Sequence, residues 1–407
     1  MNQTNRIFLD ILKAALAGKC YEPEEPITPE QWNRILTFAQ VHQLLPMVVD
    51  TCYRLPGLAG TELLASVRGS VRQQVFLQAR KTAEFLALYR KLRQAGAAPL
   101  VVKGIVCRNL YPQPDQRASS DEDVLIRPEQ FALCHEAMTA FGMETAEDPA
   151  RFDKMYEIPY GKKGSPLYIE LHKSLFPRDS DAYGELNDYF EGVHDRAVEE
   201  SVEGMKILTM APTDHLFYLI CHAFKHFLHG GFGIRQVCDI VLFARTYDAR
   251  IDWAQVLENC RSIRADYFAA ALFTIGEKQL ELPVPRHPGW PDDVDEGPML
   301  ADLLASGTYG DASQERRHSS NITLNAMARQ KQGKDAGGGI FKSLFPNASS
   351  LESRYPYLKK YPWLLPVAWI SRIFRFASRG GSDGAAKTVQ LGNERIELMK
   401  QYGILDD

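Results

Sequence analysis

Three features of the chain predict an α+β fold. Apolar residues recur at helical spacing up to about residue 95, short strand-forming runs crowd the interval from about 96 to 210, and helical patterning returns after Ala211-Pro212-Thr213-Asp214. Apolar positions repeating every three to four residues mark amphipathic helices, whereas alternation or a short continuous apolar run marks a strand. Strands gathered in one island between helical flanks give a mixed fold with a small sheet embedded in helices. The expected division is a helical region over 1–95, an α/β core over 96–210, a helical region over 211–282 and a loop-rich, helical C-terminal region over 283–407.

The first flank opens with Ile7, Leu9, Ile11, Leu12, Ala15 and Leu16 along one stripe. Thr28-Pro29-Glu30-Gln31 supplies an N-cap, a proline at the first helical position and an early acid for the next helix. Val71 to Leu92 continues the style, with Val75, Phe76, Ala79, Ala83, Leu86 and Tyr89 on one side, expected to face the core. The style changes at Gly96. Pro99 to Val102 reads as a buried strand ending in Lys103-Gly104, with a short helix over Ile105 to Tyr111. Asp121 to Ile126 is a second strand, and Glu129 to Phe141 a helix closed by Gly142. Met155 to Tyr160 and Leu167 to His172 flank a Gly-Lys-Lys-Gly-Ser-Pro turn and predict a hairpin. Helices follow over His215 to Leu228 and Gly233 to Tyr247, then a loop rich in Pro and Asp over Pro283 to Gly297 and a polar, glycine-rich stretch over Lys331 to Gly339. The tail from Leu351 to Phe376 mixes aromatics with Arg354, Lys359, Lys360, Arg372 and Arg375. Its prolines (Pro356, Pro362, Pro366) are expected to interrupt any long amphipathic helix.

Composition narrows the function classes without choosing one. The 51 acidic residues exceed the 47 Lys and Arg, a net charge of -4, so the broad basic surplus of a non-specific nucleic-acid binder is missing. The 7 cysteines are odd in number and never in CxxC spacing, which argues against a disulfide scaffold or zinc ribbon and for a reducing compartment. Asp10 and Lys13 interrupt the apolar pattern of the N-terminus, unlike a signal peptide, and the densest apolar stretches, such as Trp363 to Ile370, are too short to span a bilayer. The expectation is a cytoplasmic protein with no transmembrane segment.

Chemistry concentrates in Ser119-Ser120-Asp121-Glu122-Asp123-Val124-Leu125-Ile126. Alternate strand residues share a face, so Asp121 and Asp123 project together while Glu122 points away. Neighbouring carboxylates on a rigid strand repel unless a hard cation sits between them, the arrangement that holds Mg²⁺ against phosphates. Taken alone, the segment reads more readily as a solvated acidic turn after a Ser-Ser cap. Lys103-Gly104 lies upstream at a strand-to-helix turn, where glycine permits close approach of backbone to a phosphate and lysine can neutralise it. Downstream, Tyr168-Ile169-Glu170-Leu171-His172 puts Glu170 and His172 on one strand face, with Glu170 available as a third carboxylate and base. Arg117, just before the acidic strand, suits either a triphosphate or acceptor contact or a salt bridge that orients Asp121 or Asp123.

These residues carry a resemblance. Leu100-Val101-Val102-Lys103-Gly104, Tyr111-Pro112, Arg117, Asp121 to Ile126, Ile169-Glu170-Leu171-His172, His222 to His226 and Cys238-Asp239-Ile240 resemble an uncharacterised bacterial nucleotidyltransferase family, nucleotidyltransferase type 5, of the polymerase-β-like nucleotidyltransferase superfamily. The likeness covers roughly residues 30 to 250. It implies a polymerase-β-like nucleotidyltransferase core and a Mg²⁺-dependent enzyme transferring a nucleoside monophosphate from an NTP to a hydroxyl acceptor. It further implies two Mg²⁺ ions, or Mn²⁺ in their place, bridged by Asp121 and Asp123 with Glu170 completing the site, and phosphates near Lys103 and Gly104. Where the superfamily has Gly-Gly or Gly-Ser, this chain has Gly104-Ile105. The resemblance also supports His222, His226, Arg235 and Asp239 as parts of the helical domain, with Arg235 and Asp239 an i, i+4 ion pair.

Two other readings stand beside this one. His222 and His226 share a helix face, His229 extends it, and Asp239 follows, a set that suits a metal-dependent phosphohydrolase. A catalytically silent nucleotide-binding or interaction protein would keep the fold alone. The sequence does not name the acceptor, which ranges over small molecules, sugars, peptides and RNA, nor the base of the NTP or the oligomeric state.

Overall fold

In the computed structural model, which describes residues 1–307, 314–331, 355–359 and 361–406, helices surround a small mixed sheet. Four helices open the chain: α1 (Gln3–Leu16), α2 (Pro29–Val41), α3 (Leu45–Cys52) and α4 (Glu62–Gln94). The start of α2 follows from its sequence. The Thr28 side chain accepts from the Gln31 N–H while the Gln31 side chain accepts from the Thr28 N–H, so two otherwise orphaned donors are satisfied reciprocally. In α4 the expected stripe holds only in part. Phe85, Leu86, Leu88, Tyr89 and Leu92 are buried, but Phe76 is 65% exposed and Ala83, between the buried Thr82 and Phe85, faces outward as well.

The sheet has strand order β1-β2-β4-β3, with β1 at Leu100–Val102, β2 at Glu122–Leu125, β3 at Glu157–Gly161 and β4 at Tyr168–His172. Strands β1 and β2 are antiparallel, β2 and β4 parallel, and β3 and β4 form the predicted hairpin. The central strand β2, Glu-Asp-Val-Leu, is buried along its whole length, and in β4 Ile169, Leu171 and His172 are buried, so Glu122, Asp123 and His172 lie inside the fold. Between these strands lie α5 (Gly104–Arg108) and α6 (Phe131–Ala140). A separate hairpin, β5 (Val198–Val202) and β6 (Met205–Thr209), was not anticipated from the sequence. It leads into α7 (Pro212–His229), α8 (Ile234–Thr246), α9 (Trp253–Ser262) and α10 (Asp266–Leu280).

The chain divides into two compact units. The first comprises 1–222 and 234–296 and contains the sheet. The second comprises 223–233 and 297–407 and is helical in its described part: the last turns of α7, then α11 (Gly297–Ser306), α12 (Gln314–Lys331) and α13 (Leu365–Gln401). Within this second unit the carbonyls left over at the end of α7 are capped by side chains. Arg395 donates to those of Phe227 and His229, Thr323 to Leu228, and Arg316 to Gly230. Helices α12 and α13 approach closely at Gly392, where an added Cβ would lie 2.5 Å from Ile322.

The tail departs from expectation. Pro356 and Pro362 open short 3₁₀ turns, and Pro366 occupies the first turn of α13, where a missing N–H costs nothing. The prolines therefore precede or open a 37-residue helix rather than break one. Apart from Lys331, the glycine-rich stretch Lys331 to Gly339 lies outside the described residues, as do Leu351, Arg354 and Lys360. No helix among the described residues is long and apolar enough to cross a membrane, and all 7 cysteines are free thiols.

Candidate active site

Register in the sheet builds the site. Asp123 on β2 lies opposite Glu170 on the parallel neighbour β4, and Leu125 opposite His172. Side chains directly across a ladder share a face, so the sequence reading of Glu170 and His172 as face-sharing residues now has a third member. Ligand atoms of Asp123, Glu170 and His172 all lie within 4.8 Å of one another. His172 Nε2 sits 3.0 Å from Asp123 Oδ1 and 3.7 Å from a Glu170 oxygen, and Nδ1 is 3.4 Å from Glu157. Asp121, just before β2 and half-buried, is not in that group, although its charge reaches Glu170 and Lys103.

Opposite charges surround the Asp123 carboxylate, which is 1% exposed. Its second oxygen, Oδ2, is 2.9 Å from Lys103 Nζ. Burial pushes the Asp123 pKa up, but Lys103 and His172 outweigh it and hold the group well below the usual carboxylate range. For His172 burial favours the neutral ring, yet the hydrogen bond to Asp123 and the nearby Glu170 carboxylate prevail and raise its pKa to about 9, so it is an imidazolium at neutral pH. The His172 hydrogen bond lowers the pKa of Glu170, while its own burial and the charges of Asp123, Asp121 and Glu157 together raise it above the ordinary value.

Lys103 is held from three sides. Besides Asp123, its ammonium donates to His222 Nε2 at 3.1 Å. Its backbone N–H donates to His215 Nε2 at 3.0 Å. An ammonium has only donors, so His222 accepts through a neutral Nε2. His215 must carry its proton on Nδ1, directed to Thr209 Oγ1 at 3.2 Å, while the Thr209 hydroxyl donates to the Val101 carbonyl at 2.7 Å. Burial lowers the His215 pKa to about 3, which keeps this tautomer neutral. The backbone at Lys103 has φ 51° and ψ -121°, a left-handed conformation that a side chain adopts at a cost of about 1–3 kcal/mol. His215 and His222 lie seven residues apart, on one face of α7, and together fix both the backbone and the ammonium of this strained residue. Sequence reading singled out His222 but passed over His215, whose only signal was that i, i+7 spacing.

Gly104 is required for a reason the sequence did not reveal. An added Cβ would lie 2.2 Å from Glu122 Oε2, which accepts the Ile105 N–H at 2.8 Å. The close approach expected of a phosphate at this turn is thus made by a protein carboxylate. Glu122 points away from Asp123, as strand alternation demands, into a buried network: its Oε1 is 2.9 Å from Arg108 and 3.8 Å from Lys81, and Ser119 joins all three. Arg117 also faces elsewhere. Its guanidinium grips Asp239 through both carboxylate oxygens, and Tyr111 donates to the same carboxylate at 2.8 Å. The salt bridge foreseen between Arg117 and Asp121 or Asp123 is therefore made to Asp239 instead. Arg235 donates to Gln43 at 2.7 Å and to the Ala118 carbonyl.

The set offered to a phosphohydrolase metal does not converge. Asp239 is engaged by Arg117 and Tyr111, and His222 accepts from Lys103. Among the described residues, the one group of such side chains within mutual reach is Asp123, Glu170 and His172.

Within that group the Asp123 and Glu170 carboxylates, and not the protonated His172, fit a divalent cation. Two carboxylates supply the hard oxygen donors that Mg²⁺ and Mn²⁺ prefer, and Asp123 Oδ2 is buried with the Lys103 ammonium 2.9 Å away. Comparison with curated proteins and with solved structures finds no match to this chain. A family described as uncharacterised nucleotidyltransferase does match, over residues 28–278, a span that contains every strand of the sheet and every residue of the Asp123 cluster. The chain therefore belongs to this nucleotidyltransferase family.

Proposed function

We propose that the protein is a divalent-metal-dependent nucleotidyltransferase with a polymerase-β-like core, moving a nucleoside monophosphate from an NTP to a hydroxyl acceptor. The observation that carries this reading is the register of β2 against β4, which sets Asp123 and Glu170 side by side with Lys103 and His172 at their edges. Asp123 and Glu170, with Asp121 just before the strand, would hold the metal, Mg²⁺ or Mn²⁺, whose chemistry would be to neutralise charge on the triphosphate and acidify the attacking hydroxyl. Glu170, with its raised pKa, accepts the proton of that hydroxyl. The acceptor oxygen bonds to the α-phosphorus as the bond to the β-phosphate bridge breaks, and pyrophosphate leaves. Lys103 contributes positive charge for the phosphates. His172 orients Asp123 and Glu170 from within the sheet face. Arg117 and Asp239 brace the loop leading into β2 from outside the site.

An α-labelled NTP panel incubated with cell extract and the native protein tests the reaction, with product identification by mass spectrometry. Label should appear on one class of hydroxyl compound with release of pyrophosphate, and vanish with Asp121→Asn combined with Asp123→Asn. Label transfer that survives the double substitution would remove these carboxylates from the reaction. Nucleotide binding with no transfer would leave the silent binding protein as the better reading.

A further inference from the structure

We propose that Lys103 is an exchangeable counter-ion: its ammonium occupies Asp123 while the site holds no metal, and moves to the nucleotide's phosphates when a divalent cation takes its place at Asp123. The inference rests on the nucleotidyl-transfer reading and names a linkage within that site. Four observations support it.

The first is economy of charge. Asp123 is buried and accepts from His172 through one oxygen, so its other oxygen is the open position for a metal; that oxygen is where Lys103 sits, at 2.9 Å. A cation and an ammonium cannot both lie against one carboxylate oxygen without strong repulsion in a poorly solvated site. The second is the lack of other support. Among the described residues, Asp123 Oδ2 has no partner besides the Lys103 ammonium, so this single charge-assisted contact is all that another cation has to replace. The third is a second resting place. His222 Nε2 accepts from the same ammonium at 3.1 Å, and so the lysine keeps one partner when it leaves the carboxylate. The fourth is the hinge. The Lys103 backbone is fixed in its left-handed conformation by His215, and with the main chain pinned only the flexible four-carbon stem has to swing.

The exchange makes metal and nucleotide binding cooperative without any movement of the fold. Metal entering alone must displace Lys103 from Asp123 and leave it short of a full counter-charge. A triphosphate supplies that charge.

Pulsed acetylation of the full-length native protein, read at Lys103 by mass spectrometry, tests the exchange directly. Labelling of Lys103 should be slow in the absence of metal, rise at least threefold with saturating Mg²⁺, and fall at least threefold again when a non-hydrolysable NTP is added with Mg²⁺. Mn²⁺ affinity measured by electron paramagnetic resonance supplies an independent readout. Lys103→Gln, which keeps polarity but removes the charge, should bind Mn²⁺ alone at least tenfold more tightly than the native chain, and Lys103→Arg should stay within about threefold of it. If calorimetry shows Mg²⁺ and nucleotide binding while Lys103 labelling does not respond to Mg²⁺, the exchange is overturned and the transfer reading stands. A rise with Mg²⁺ that nucleotide does not reverse overturns the hand-over to phosphate. Absence of binding by any metal or nucleotide overturns both.

Discussion

Single residues carry most of what distinguishes this site. Gly104 is one whose importance was visible in the sequence for a different reason than the one the structure gives. Its missing side chain makes room for the Glu122 carboxylate against the start of α5, with a Cβ-to-oxygen distance of 2.2 Å that no side chain tolerates. Gly104→Ala should lower stability by roughly 2–4 kcal/mol through the lost Glu122 hydrogen bond and displaced backbone, measurable as a shifted urea midpoint with an unchanged slope. A loss below about 0.5 kcal/mol would mean that Glu122 moves aside freely. Lys103 presents the opposite case. Its charge was legible in the sequence, but its left-handed backbone and its two histidine partners were not, because His215 and His222 lie more than 100 residues downstream and only the packing of α7 brings them there.

At the scale of elements, β2 displays two chemistries by alternation. Asp123 faces Glu170 and Lys103, while Glu122 on the other face closes a buried network drawn from α4 and α5. Strand alternation in the sequence was enough to separate these faces. It was not enough to find the partners of Glu122, since Lys81 lies on a helix read for its apolar stripe and Arg108 on a short helix read only for its start at Lys103-Gly104. Glu122→Ala leaves the Arg108 guanidinium buried without its counter-charge, and should cost roughly 3–5 kcal/mol. Glu122→Gln should cost less, because an amide oxygen still accepts from Ile105. Equal stability of Glu122→Ala and the native chain in chemical denaturation would contradict this assignment. The β3–β4 hairpin and the helix starts were readable because turn and capping residues act locally. The β5–β6 hairpin was missed because its strands, Val198–Val202 and Met205–Thr209, carry exposed charges that dilute the apolar alternation.

At the scale of the whole molecule, the mild acidic excess conceals histidines with opposite demands. His215 in the first unit and His229 in the second are kept neutral chiefly by burial, with pKa values lowered to about 3 and about 4. The unfolded chain protonates both near their ordinary pKa of about 6.5, whereas the folded chain does not, so their share of stability is complete above that pH and declines as pH falls towards 3 to 4. His172 works in the other direction: its pKa is raised to about 9, and its stabilisation is complete below about pH 6.5 and lost as pH rises through 9. Urea midpoints should therefore fall between pH 6.5 and 5, and His215→Gln should flatten that slope. A slope unaltered by the substitution would show that His215 is protonated in the folded protein.

The central claim is that carboxylates on neighbouring parallel strands bind a metal–nucleotide complex. Its most direct test is calorimetric titration of a non-hydrolysable NTP into the native protein and into Asp123→Asn, each with and without Mg²⁺. Mg²⁺ should tighten binding to the native chain at least tenfold and have little effect on Asp123→Asn. An NTP that binds the native chain equally well without Mg²⁺, or a Mg²⁺ dependence that persists undiminished in Asp123→Asn, would contradict it.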